Sequence, residues 1–206
     1  MKNFTKNELI GLLAIFLILI VISAPNFLLS LRRARDQVRR DDMGAFQHAM
    51  DEYHADFGEF PKSSPDGKLV ACKSPNDKAE IDKNGRVLVN LVPCEWGYDS
   101  LVDLTPGSNK VYLKVIPGDP QAKNKIQYTY SSDGGRYQIL ASLEGSDEPE
   151  YDLKIAKRGV LCGMRVCNIG RSFDCPLDKS IQEYKDELER LRRLKEAQQL
   201  QQSLKK

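Results

Sequence analysis

An α+β fold is predicted by three features of the sequence: an uncharged apolar run near the N-terminus, helical spacing of apolar residues directly after it, and a hairpin pattern in the second half. The expected arrangement is a long N-terminal hydrophobic helix packed on a small antiparallel β-sheet head, with a C-terminal helix.

From Leu9 to Leu31 the chain carries no Asp, Glu, Lys or Arg over 23 residues. At about 1.5 Å of rise per residue, a helix of that length crosses a bilayer core. A cleaved secretory signal has a shorter apolar core followed by a small-residue cleavage site. Here the run is too long and Ser23-Ala24 is followed at once by Pro25, so a retained membrane helix is expected. Pro25 predicts a kink or a melted turn within it. About 175 of the 206 residues remain outside, enough for one small domain, or a domain plus a tail, but not for a large multidomain enzyme. The net charge of +2, with no strongly basic stretch, argues against a nucleic-acid partner. Lys2 and Lys6 precede the span while Arg32, Arg33, Arg35, Arg39 and Arg40 follow it, which by charge alone places the bulk of the chain in the cytoplasm. The cysteines point the other way, because disulfides persist outside the cytosol.

Glu8 stands at the edge of the apolar helix. An ionisable group there is costly unless paired and marks a functional residue; the plainer reading is a carboxylate favoured by the helix dipole. Phe4-Thr5, then Glu8 four residues after the Phe, then Leu9 and the apolar run, and Pro25-Asn26 twenty-one residues after the Phe together resemble the class III signal and first helix of type IV pilins and type II secretion pseudopilins. Downstream, Tyr53-His54-Ala55-Asp56-Phe57-Gly58-Glu59-Phe60-Pro61 resembles the end of that family's long helix.

The resemblance implies that a prepilin peptidase cuts between Asn3 and Phe4, leaving residues 1–3 as a short leader, and methylates the new Phe4 amine. It also implies that Glu8 pairs with that amine on a neighbouring subunit, as a carboxylate among packed apolar helices requires a cation. Asn3 stands where the family usually has Gly, and Lys6-Asn7 replaces its usual apolar pair. The implied function is structural, a filament subunit polymerising through its N-terminal helix, Pro25 included. Its partners would be further copies and related pilins, the peptidase, an inner-membrane assembly platform and membrane lipid. The N-terminus would be cytoplasmic and the head extracytoplasmic, in a surface or periplasmic filament. A different class of function is a single-pass anchored adaptor that does not polymerise. The sequence holds no nucleophile elbow, phosphate loop, zinc motif or convincing catalytic carboxylate pair, so no enzyme, catalytic residue or cofactor is expected.

Leu31, Ala34, Val38, Ala45, Phe46, Ala49, Met50, Tyr53 and Phe57 recur at helical spacing, which continues the helix to about Asp56 with Gly58 as its stop. Its polar half, including Arg35, Asp36, Arg39 and Arg40, is expected to face water or a neighbouring subunit. His48 and His54 are six apart and share no helix face, so they are not a metal pair. Residues 61–84 read as a connecting loop. Residues 85–92 fit a short strand or a helical turn, and Val111–Ile116 a strand or a short helix. The clearest hairpin is Ile126–Ser131, a Ser132-Asp133-Gly134-Gly135 turn and Arg136–Leu143, with alternation that packs one face on a helix. Together with Ile116-Pro117-Gly118-Asp119-Pro120, this tyrosine-rich hairpin resembles the globular head of pilins. Glu144, Asp147, Glu148, Glu150 and Asp152 form an acidic cluster that reads as a solvated turn more readily than as a calcium loop.

Disulfides are the expected state of Cys72, Cys94, Cys162, Cys167 and Cys175, rather than zinc ligation or free thiols. Cys72 with Cys94 is the preferred first bridge, and Cys162 with either Cys167 or Cys175 the second. One cysteine is left over or pairs between subunits. After Cys175-Pro176, Ser180-Ile181-Gln182-Glu183 is a capping-box signature opening a helix of about 25 residues, roughly 38 Å long. Ile181, Tyr184, Leu188 and Leu191 follow a heptad seam that Lys195 and Gln198 break. The helix is either a charged surface helix or a contact arm. The chain then divides into residues 1–3, a membrane or filament-core helix half at 4–30, an amphipathic half at 31–57, a β head with a loop insertion at 58–158, a Cys-rich segment at 159–176 and a charged helix at 177–206.

Overall fold

The computed structural model describes residues 5–74, 80–81 and 87–204. One helix dominates it: α1 (Lys6–Phe57) has 52 residues and a length of about 78 Å. It opens with Thr5 as N-cap and closes at Gly58, whose left-handed backbone (φ 73°) directs its N–H to the His54 carbonyl at 2.8 Å. The helix runs unbroken through Pro25, so the expected melted turn is absent; losing one hydrogen bond leaves the ladder on either side intact. Its first half is bare among the described residues. The window that qualifies it as a candidate membrane span is 0% buried, and every residue from Leu9 to Leu31 is exposed.

The head folds around the second half. After β1 (Lys62–Ser63), β2 (Leu69–Lys73) is the central strand of a small antiparallel sheet completed by β5 (Leu91–Pro93). The connecting loop expected over residues 61–84 therefore contains a core strand, in which Leu69 and Ala71 are buried. Four apolar residues among turn formers were too short a run to reveal it. Two further ribbons pair β3 (Glu80–Ile81) with β4 (Val87–Leu88), and β6 (Leu101–Val102) with β7 (Val111–Leu113). Both open readings thus resolve to strands, although Gly85 and Arg86 lie outside the described residues.

The expected hairpin forms with shorter arms, β8 (Thr129–Ser132) against β9 (Tyr137–Ala141): Ser132 joins the strand rather than the turn, and Ile126 bridges Gly163 instead. Beyond it come a short helix, α2 (Leu153–Lys157), a ribbon of β10 (Leu161–Cys162) and β11 (Arg165–Val166), and β12 (Ile169–Phe173), which pairs with the other edge of β9. The Cys-rich stretch is thus woven into the head's own sheet. Every residue of β9 is buried. Tyr137, Ile139 and Ala141 face α1, while Leu140 packs with Ile155, Cys162 and Cys167 in a second, smaller cluster. The other outward residue, Gln138, donates to the Pro176 and Lys179 carbonyls at 2.5 and 2.8 Å.

The main core joins Met43, Phe46, Ala49 and Met50 of α1 to Leu69, Leu101, Ile116, Tyr128, Tyr130 and Tyr137 of the head. Phe46 lies 5.5 Å from the Tyr130 ring and 6.0 Å from Trp96, centroid to centroid, the spacing at which aromatic pairs gain beyond simple burial. Tyrosine hydroxyls tie the head to the helix and to the chain just past its end. Tyr128 donates to Asp42 at 2.5 Å, Tyr112 to Asp56 at 2.6 Å and Tyr130 to the Pro61 carbonyl at 2.8 Å. The last helix, α3 (Ile181–Leu204), is opened by the expected capping box, in which Ser180 N–H donates to Glu183 at 2.7 Å.

Candidate functional site

Two surfaces of α1 meet the expectations for function, and they lie on different faces of one helix. On the first, the apolar stripe of residues 9–31 continues into the head region as Leu31, Ala34, Val38 and Ala45, all exposed. On the second, the residues turned into the head between 32 and 42 are charged. Asp36 and Arg39 are both 0% exposed, which corrects the expectation that this polar half faces water or a neighbour.

Arg39 is the centre of the buried face. Its Nε donates to Asp119 Oδ2 at 2.7 Å and its Nη2 to Asp119 Oδ1 at 2.9 Å and Gln121 Oε1 at 3.3 Å. Its Nη1 donates to Asp36 Oδ1 at 2.7 Å and Glu144 Oε1 at 3.0 Å. All of the guanidinium's donors are therefore used, the condition under which a buried charge is tolerated. Burial works against the charge of Arg39, but its bonds to Asp119, Glu144 and Asp36 outweigh that cost and hold its pKa above the ordinary value. Asp36 is satisfied in turn, accepting from the backbone N–H of Glu144 at 2.9 Å and of Gly145 at 3.1 Å.

Around this centre the acidic cluster closes on the arginines. Arg35 binds Glu144 bidentately at 2.6 and 2.7 Å, Arg32 binds Asp147 at 2.7 Å, and Arg40 binds both Glu148 and Glu150. The Glu144 carboxyl is pulled down to about 2, first by Arg35 and then by Arg39. The cluster is thus the counter-charge of the helix rather than a solvated turn; among its expected members Asp152 stays apart as the N-cap of α2.

Backbone geometry delivers these groups. Asn168 holds Leu143 from both sides, accepting its N–H at 2.7 Å and donating to its carbonyl at 3.0 Å, which aims Glu144 at the helix. A Cβ on Gly145 would lie 2.8 Å from an Asp147 carboxylate oxygen and 3.0 Å from the Arg32 guanidinium carbon, so a larger residue there would have to displace that ion pair. A Cβ on Gly118 would meet the Gly97 Cα at 2.9 Å, and that close approach seats Asp119.

The remaining expected residues fall as follows. Asn3 and Phe4 lie outside the described residues. Glu8 closes the capping box of α1, accepting from Thr5 N at 2.8 Å and Thr5 Oγ1 at 2.9 Å. Cys72 bonds Cys94 and Cys162 bonds Cys167, while Cys175 remains a half-buried thiol. His48 is exposed beside Glu52, and His54 stacks on Phe60 at 4.5 Å. The arginine clasp escaped sequence reasoning; its signal was an arginine-rich stretch at 32–40 balanced by an acidic one at 144–150, more than a hundred residues away. No protein-family model matches the chain, and neither a curated protein nor a solved structure is significantly similar to it.

Proposed function

We propose that this chain is a structural subunit of a type IV pilus-like or type II secretion pseudopilus-like filament, held in the membrane by the first half of α1 and polymerising through it. The observation that carries this reading is the placement of the two faces of α1. The head covers the charged face, and the apolar face stays bare from Leu9 through Val38. So long a bare apolar surface has to be covered by lipid or by other helices. Its continuation past the bilayer-length segment, at Ala34 and Val38, favours helices of further copies.

The Phe4, Glu8 and Pro25 register adds the expected chemistry. Cleavage before Phe4 would create an amine, and in a filament Glu8 would exchange its Thr5 cap for that cation on a neighbour. The partners are then a prepilin peptidase, an inner-membrane assembly platform and related subunits, with the N-terminus cytoplasmic and the head outside. The disulfides fit an oxidising compartment.

The test is intact mass and N-terminal sequencing of the chain from cells that possess a prepilin peptidase. The expected product begins at methylated Phe4, and Glu8→Ala is expected to insert in the membrane yet fail to assemble. A chain retaining residues 1–3, with Glu8→Ala behaving as wild type, would favour the anchored adaptor. That second reading has one observation in its favour: in the single chain the carboxylate of Glu8 is already satisfied by the cap.

A further inference from the structure

The far half of α3 has no place in the fold of a single chain. Its root is fixed at the end of the head where α1 stops. Ile181 is buried, Lys185 binds Asp133 at 2.9 Å in the hairpin turn, and Phe60 N–H donates to Gly134 in that same turn. From Leu188 onward every described side chain is exposed, with Leu191 at 46%, Leu194 at 54% and Leu200 at 64%. An unsupported helix of this length is marginal in water, since most helical stability comes from packing an apolar face. Between 190 and 195 the leucines are flanked by Arg190, Arg192, Arg193 and Lys195, with no acid among them.

The same end of the head carries a surface of opposite character. A half-open cleft of about 160 Å³ is floored by Tyr53, Phe57, Ala71, Leu91, Val102 and Leu104. Phe57 and Leu91 are each about two-fifths exposed. Acids stand beside it: from residue 41 to 61 the chain has no Lys or Arg, Asp103 is on the wall of the cleft, Glu59 acts on Tyr53 of its floor, and Glu52, next to Tyr53 in the chain, acts on Lys110. After burial, Glu59 and Asp103 are what raise the Tyr53 hydroxyl's pKa, so both carboxylates act at the cleft. Lys110, a cation near the cleft, is held by Asp56 at 2.5 Å, and Lys73 pairs with Leu91 across the sheet.

We propose that the far half of α3 docks into this cleft on a second copy of the chain, its leucines filling the apolar floor and its arginines meeting the acidic rim. Both halves of the contact are exposed on every copy, and α3 is one continuous helix whose side chains from Leu188 to Ser203 are all exposed in its own chain. Such a contact joins two different surfaces, so it leaves a free arm and a free cleft at the ends of any chain of copies and propagates rather than closing on itself as a two-fold dimer. It deepens the filament reading above by giving successive heads a link of their own, but it does not depend on the membrane helices touching.

The test is cross-linking of the full chain in its native membrane, in a Cys175→Ser background. Leu194→Cys with Leu104→Cys, bridged by a short bismaleimide, is expected to give a ladder of dimers, trimers and higher species. The triple variant Arg192→Glu, Arg193→Glu, Lys195→Glu is expected to reduce that ladder about tenfold or more, and adding Glu52→Lys and Glu59→Lys to restore it. These residues are exposed or half-exposed, and retained disulfides check that each variant folds. Absence of the ladder, a purely intramolecular product, or a ladder indifferent to charge reversal overturns the proposal. So does charge reversal that weakens binding to anionic lipid vesicles and leaves the ladder unchanged. A separate Ile18→Cys reporter distinguishes the two readings. Cross-linked α1 helices without the arm ladder refute the arm alone, whereas the ladder without cross-linked α1 helices refutes the helix-packed filament and keeps the arm.

Discussion

The two parts of α1 inside the head are held by different physics. Residues 32–42 are clasped by charge, with Arg39 wholly buried among Asp36, Asp119 and Glu144. Residues 43–57 are held by aromatic and aliphatic burial around Phe46 and Met50. A hydrophobic neck would have required the apolar face of 32–42 to turn inward. Fixing the head through arginines leaves Leu31, Ala34 and Val38 outside, continuous with the membrane half. The cost is brittleness: apolar packing loses stability in proportion to what is removed, whereas a buried charge network fails when one partner goes.

Arg39→Ala is the sharpest way to break the comparison. It strands Asp36 and Asp119 without their cation and is expected to cost about 3–5 kcal/mol, read by chemical denaturation of the head in detergent. A loss below about 1 kcal/mol would mean that the clasp is not structural. Phe46→Ala should cost a similar amount, about 3–5 kcal/mol, by leaving a cavity. Amide exchange separates the two: Arg39→Ala is expected to deprotect residues 32–42 first, and Phe46→Ala residues 43–57.

Next in size are the disulfides, which act on the head and not on the neck. By loop length, Cys72–Cys94, 22 residues apart, is worth about 3 kcal/mol, and Cys162–Cys167, 5 residues apart, about 2 kcal/mol. Thermal unfolding with and without reductant, on Cys72→Ser and Cys162→Ser variants, measures each.

Acid gives a smaller and graded effect. The folded-state pKa of Glu144 lies near 2, below its ordinary 4.5. Its contribution is therefore complete above about pH 4.5 and is lost as pH falls toward 2. Residues 32–42 are expected to lose exchange protection across that window while the aromatic half keeps it. Equal loss in both halves would erase the distinction. The smallest effect is expected at the rim. Arg32 is partly exposed and its partner Asp147 is 56% exposed, so solvent screens the pair, and Arg32→Ala should leave the denaturation midpoint almost unchanged, the more so in high salt.

Much of the architecture was legible locally. The 23-residue uncharged run, the Ser180–Glu183 capping box and the Asp-Gly-Gly turn are each contiguous in the chain, and a helix, a capped helix start and a hairpin turn lie at those positions. What failed was a rule about faces. Mixed charge on a helix usually is solvated, so Arg35, Asp36, Arg39 and Arg40 are expected to face water or a neighbouring subunit, whereas the head of the same chain covers them. Likewise β2 was hidden in a polar stretch, its strand character set by pairing with β1 and β5 rather than by its own four apolar residues.

The sequence by itself determined that this chain has one apolar helix long enough to span a membrane, a helix stop at Gly58, a tyrosine-rich hairpin and a capped C-terminal helix, because hydrophobic run length, backbone freedom and capping are local properties. Only the tertiary structure decided which face of α1 the head covers, which of two partners Cys162 takes, and that the acidic segment after β9 neutralises arginines more than a hundred residues earlier. Those outcomes depend on desolvation and charge pairing between distant segments, and a charge becomes buried or solvated according to what the fold places opposite it.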